Sequence, residues 1–169
     1  MNIAICLIGQ MRTWNNNKII KSYHDIFIKE HGYNSIDLYI FTWQNIGYSD
    51  NHGNAKKLNN WDNIVTREHI NQYYSQFNYI NVKYIYIESF NDYIKSIDKE
   101  LLDIYNNIPH SNKKSKYQTS VPIQYKYQQT AQYLAQIDKI NQLYQVVIIT
   151  RPDVMIKRAL EYIDDIQDN

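Results

Sequence analysis

The chain has 169 residues, a formal net charge of +1 and a single cysteine. Its length fits one domain with a sizeable core. The near-zero charge gives no electrostatic footprint for nucleic acid or an anionic membrane, and one cysteine excludes an internal disulfide.

Asn2–Ile8 is continuously apolar and reads as a first, central strand. Cys6 inside it reads as a small core residue of a protein from a reducing compartment, rather than as a nucleophile. No basic region precedes this run, and no run in the chain is long enough to span a bilayer. A cytoplasmic protein without a transmembrane segment is therefore expected. At the strand's end Gly9 permits a tight turn and a close ligand approach, and Gln10 and Arg12 follow as candidate contacts to a nucleotide base or diphosphate. A polar strand-to-helix loop explains the same residues without a ligand.

Residues 15–30 read as a helix, with Ile19, Ile20, Tyr23, Phe27 and Ile28 on one face and Gly32 as its stop. Asp37–Thr42 is a second strand ending at Trp43. In a parallel β-α-β unit, Thr42 and Trp43 lie on the same sheet edge as Gly9 and Arg12. Gln44–Asp62 is polar and aperiodic, the mark of a functional or disordered loop. Thr66 caps a short helix to about Tyr74, and Tyr79–Glu88 is a strand with one half-exposed face at its start. Ser89 and Asp92 have the spacing of a capping box for a helix to about Tyr105.

Pro109–Thr119 reads as a basic polar loop, Ser120 as the N-cap and Pro122 as a first-turn residue of a helix to about Leu143. The expected buried side of that helix carries Ile123, Tyr127, Ala131, Leu134, Ile137 and Ile140. Gln124 and Gln128 lie one turn apart near its start and face the same crevice if the helix starts there. The β-branched run Val146–Ile149 reads as a strand buried on both faces. Pro152 ends it, leaving Arg151 and Asp153 at the carboxyl end, where open α/β sheets bind ligands. An Arg–Asp pair that merely closes the strand is the alternative.

The five histidines show no metal-ligand spacing, and the chain contains no H-E-x-x-H, C-x-x-C, G-x-S-x-G, P-loop or dinucleotide fingerprint. The 17 tyrosines carry little weight, because the chain is rich throughout in residues of AT-rich codons. Asp164 and Asp165 read as a solvated helix face.

The opening IAICLIGQMRTW, then DLYIFTW, then a strand ending in ITRPDVMI, resembles a group of glycosyltransferase-like proteins of bacteria and large viruses. The resemblance covers both ends of the chain and the order of elements between them. It implies a three-layer α/β/α, Rossmann-like fold of the GT-A type with a mostly parallel sheet. It also implies transfer of a sugar from a nucleotide-sugar donor to a glycan or other acceptor. Gly9, Gln10, Arg12, Thr42, Trp43, Gln124, Gln128 and Arg151 are then the donor-site candidates, and Asp153 the ligand of a Mn²⁺ or Mg²⁺ ion. Arg151 stands where better-known members of the fold carry a first aspartate, which places metal dependence in question and gives an arginine the task of offsetting diphosphate charge. The chain is expected to be one nucleotide-sugar-binding domain over residues 1–169, alone or as the N-terminal part of a longer protein. The second expectation is a non-catalytic nucleotide-binding or interaction module of the same fold.

Overall fold

The computed structural model describes residues 2–46, 64–100, 113–137 and 143–157. Strands β1 (Asn2–Gly9), β2 (Ser35–Trp43), β3 (Ile80–Glu88) and β4 (Tyr144–Thr150) form one sheet in the order β3-β2-β1-β4. Every pairing is parallel, from Asn2↔Ser35 to Gly9↔Thr42 between β1 and β2 and up to Leu7↔Thr150 between β1 and β4. Between β2 and β3 the register ends at Trp43↔Glu88. All four carboxyl ends therefore lie on one edge.

Side chains of β1 alternate between two apolar layers. Ile3, Ile5 and Leu7 belong to a core with Ile19, Ile20, Tyr23 and Phe27, and with Ile70 and Tyr74. These come from α1 (Asn17–Tyr23), its wider-turned continuation His24–Glu30, and α2 (Arg67–Tyr74). Ala4, Cys6 and Ile8 face the other way, toward Tyr39, Phe41 and the long helix α4 (Lys113–Gln136), from which Ile123, Tyr133 and Leu134 pack on them. A helix α3 (Phe90–Ser96) follows β3 directly. The chain is thus an α/β protein with a parallel sheet between two helical layers, as expected of a Rossmann-like fold. Burial of each Ile or Leu of β1 contributes roughly 1.5–3 kcal/mol, so this strand outweighs any single polar contact at its end. Burial also raises the Cys6 thiol to about 12, which keeps it protonated and unreactive.

Local signals in the sequence act as read. Thr66 accepts from the His69 amide at 3.2 Å, and Ser89 from the Asp92 amide at 3.2 Å. Gly32 has φ +70 at the helix stop. Four readings are corrected. The helix after the first strand is α-helical only to Tyr23 and π-helical over His24–Glu30. The helix after Ser89 stops at Ser96, because Ile97 is extended at φ −69, ψ 134. Residues 113–119, read as loop, are helical, so Ser120 is not an N-cap and Pro122 lies inside α4, which ends at Gln136. Finally, β4 is paired only to β1 among the described residues and Val147 is 38% exposed, so it is an edge strand rather than one buried on both faces. A β-branched run reports strand propensity, not how many neighbours the strand acquires.

Most of the loop 44–62, residues 101–112 and the segments 138–142 and 158–169 lie outside the described residues. The readings made on them, including Ile140, Asp164 and Asp165, stay as expectations. Among the described residues no helix is long and apolar enough to cross a membrane.

Gly9 has φ +97 and, among the described residues, nothing within 4 Å of where a Cβ would stand. Gly9→Ala is therefore expected to cost backbone strain without a clash, about 1–2 kcal/mol by chemical denaturation. A loss of much more than that would show that the space beside Gly9 is filled.

Candidate functional site

The order of the sheet reverses at β1: the chain moves from β1 outward to β2 and β3, then returns to β4 on the other side. In parallel α/β sheets such a reversal opens a crevice above the carboxyl ends, because the crossovers on its two sides lie on opposite faces. An open cleft with about 460 Å³ of free space lies there. The end of β1 and its turn contribute Ile8, Gly9, Gln10 and Arg12; the end of β4 contributes Arg151. Trp43, Phe90, Pro122 and Ile123 wall it on the β2 and α4 side.

Its polar groups are held by short local contacts. Arg12 Nε donates to Gln10 Oε1 at 3.1 Å. Arg151 donates to both oxygens of Asp153, from Nε at 2.9 Å and from Nη2 at 2.6 Å. The turn carrying them is closed by the Val154 amide on the Arg151 carbonyl at 3.2 Å. Tyr23 donates to the Val154 carbonyl at 3.1 Å, and the Ile156 amide to Ser22 Oγ at 3.2 Å, so α1 fixes the chain leaving β4. The Arg151 side chain is 45% exposed. An exposed ion pair contributes about 0–1 kcal/mol. A bidentate arginine–carboxylate pair with its carboxylate only 16% exposed is the geometry that contributes more, so this pair also closes the strand.

Thus Gly9, Gln10, Arg12, Trp43 and Arg151 are brought to one cleft. Thr42 is buried and donates to the Gly9 carbonyl at 2.7 Å, behind the lining rather than in it. Gln124 and Gln128 are exposed and do not line the cleft. Asp153 stands beside the cleft with both oxygens on Arg151. Among the described residues no group of three or more His, Cys, Asp or Glu side chains is placed to hold a metal ion.

A second cluster next to the cleft went unread in the sequence. Lys126 is fully buried on α4. It donates to Glu88 Oε2 and, at 3.1 Å, to Gln129 Oε1. Glu88 also accepts from Tyr86 at 3.0 Å and Tyr125 at 3.1 Å. The buried face of α4 runs through Pro122, Lys126 and Thr130, whereas Tyr127 and Ala131, expected inside, are exposed. A lysine is assigned to solvent by default; only the spacing of 122, 126 and 130 could have raised it. Burial lowers the Lys126 ammonium to about 8, against the opposing pull of Glu88. Burial disfavours the Glu88 carboxylate too, but Lys126, Tyr86 and Gln129 outweigh it and hold it below the ordinary range.

Comparison with protein-family models, curated proteins and solved structures gives no match for this chain.

Lys126 is buried and Glu88 half-buried, so replacing one member of the pair leaves the other uncompensated. Lys126→Ala is expected to lose about 3–5 kcal/mol, and Lys126→Met with Glu88→Gln to recover most of it. Because the folded state lowers the lysine from 10.5 to about 8, the unfolded chain holds that proton more tightly between those values. This group therefore adds stability as pH rises through that window. Denaturation of the wild type against the double variant checks the sign, and a difference that shrinks with rising pH would refute it.

Proposed function

We propose that the cleft binds a nucleotide-sugar donor for glycosyl transfer to a glycan or other acceptor. The observation that carries this reading is the convergence of the Gly9–Arg12 turn and Arg151 above the carboxyl ends of β1 and β4. A glycine at positive φ leaves the main chain approachable, two guanidinium groups match phosphate oxygens, and Trp43 with Phe90 adds an aromatic wall. The resemblance of GQMR and TRPD to glycosyltransferase-like proteins supports the same chemistry.

In this reading Arg12, oriented by Gln10, and Arg151, oriented by Asp153, offset diphosphate charge directly. The donor set around Asp153 does not fit a divalent cation held by the protein alone. It is one carboxylate with both oxygens on a guanidinium, and a Mn²⁺ or Mg²⁺ ion would have to displace Arg151 from it. Glycosyl transfer with inversion also needs a carboxylate near the acceptor hydroxyl as base. Among the described residues lining the cleft there is no Asp or Glu. That observation favours, as the second reading, a module that binds the nucleotide without turnover.

Calorimetric titration with UDP, GDP, CMP and their sugar conjugates, with and without Mn²⁺, tests both readings. One nucleotide is expected to bind saturably. Arg12→Ala and Arg151→Ala are each expected to weaken it about tenfold, the loss of one charge-assisted hydrogen bond, with the melting temperature nearly unchanged. Affinity insensitive to chelator supports arginine neutralisation, and affinity abolished by it supports a metal at Asp153. Binding without release of sugar to any acceptor favours the non-catalytic module. No binding under either condition overturns the donor site.

A further inference from the structure

The nucleotide reading makes no use of the most deeply buried charge in the described chain. Lys126 lies on α4 three and four residues beyond Ile123 and Pro122, hence on the same helical face as these two cleft residues. Its Nζ stands 4.1 Å from the centroid of the Trp43 ring, 5.1 Å from Tyr86 and 5.6 Å from Tyr125. Its carboxylate partner Glu88 is the register partner of Trp43 at the carboxyl edge of the sheet. One ammonium therefore joins the ends of β2 and β3 to the part of α4 that walls the cleft.

We infer that Lys126 and Glu88 are a positioning pair for the cleft, fixing the Trp43 ring and the Pro122–Ile123 wall at the separation its ligand requires. The identity of that ligand rests on the nucleotide reading; the control of Trp43 does not. An apolar side chain would fill the same volume without the cost of desolvating two charges. What the charged pair adds is direction. The ammonium is attracted to ring faces, while Tyr86 and Tyr125 are turned by their hydrogen bonds to Glu88, and Gln129 donates in turn to Tyr125 at 2.8 Å. Tyr125 is stacked on Trp43 with an angle of 19° between rings, and Phe90 meets Trp43 edge-on at 89°. The orientation of the aromatic wall thus follows from the ion pair behind it.

The titratable groups facing Lys126 are Glu88 and Tyr86 from β3 and Tyr125 from α4, with Tyr93 of α3 against Tyr125 and Trp43. Burial raises both Tyr86 and Tyr125, the latter to about 12, and Glu88 is held below the ordinary carboxylate range. Over about pH 7–9 the lysine is the member of this set expected to titrate.

The test uses the full chain labelled with fluorotryptophan, so that Trp14, Trp43 and Trp61 report separately by fluorine NMR, Trp43 being assigned by its loss in Trp43→Phe. In the wild type the Trp43 signal is expected to move as pH rises through that range, with UDP affinity falling in parallel. In Lys126→Met/Glu88→Gln, which leaves no charge unpaired, the pH response should vanish and UDP should bind about tenfold more weakly, while unfolding stays cooperative. Wild-type UDP affinity in the folded double variant, or affinity flat across the Trp43 shift in the wild type, overturns the proposal. If the wild type binds GDP or CMP in place of UDP, that nucleotide is the probe; if it binds none of the three, the nucleotide reading fails by itself. The solvent isotope shift of Trp43 then decides the pair: greater exposure above about pH 8 or in the double variant supports it, and an unchanged signal overturns it. If the double variant does not fold, the wild-type pH series carries the decision.

Discussion

β1 is hydrogen-bonded in parallel on both sides, and the site follows from that one arrangement. Its pairing with β2 and β4 sets all the carboxyl ends on one edge and makes β1 the point where the strand order reverses. Gly9 and Arg151, far apart in the chain, meet because Gly9 pairs with Thr42 on one side and Leu7 with Thr150 on the other. Ile3, Ile5 and Leu7 fill one core and the smaller Ala4 and Cys6 lie in the other, so moving β1 by one residue would misfill both.

The two edges of the sheet treat their polar groups differently. At the amino edge Asp37 is buried and satisfied internally, accepting from Tyr144 at 2.7 Å and Asn81 at 2.8 Å, while Tyr39 and Tyr144 share a hydrogen bond of 2.9 Å. That network joins β2, β3 and β4 around a buried carboxylate, with the Lys83 ammonium at its solvent side 3.6 Å from Asp37 Oδ2. At the carboxyl edge the contacts of Arg12 and Arg151 are short-range and leave guanidinium nitrogens facing an open cleft. A buried polar network stabilises only when complete; a binding site requires donors left over. Lys126 and Glu88 combine both patterns: they are internally paired, yet they stand directly behind a cleft residue.

Residues 2–9, 35–43 and 80–88 were legible as strands because alternation and β-branching are local signals, and Thr66 and Ser89 were legible as caps because each meets its amide within three residues. Gly9, Gln10, Arg12 and Arg151 could be placed at strand ends on the same grounds. The same reasoning misjudged α4. Ser120 and Pro122 read as the start of this helix, but it begins a turn or more earlier and runs through Pro122, and the apolar count favoured Tyr127 over Lys126 for the interior.

The sequence by itself determined the alternating strands and helices, the two polar turns after β1 and β4, and hence the α/β class, because these depend on neighbours within a few residues. Only the tertiary structure decided that β4 lies at the edge, that the two turns share one cleft while Gln124 and Gln128 fall outside it, and that Asp153 is engaged by Arg151. It alone decided the pairing of Lys126 with Glu88. Whether a charge can be buried depends on what stands opposite it, and for Lys126 that is a carboxylate and three aromatic rings from β2, β3 and its own helix.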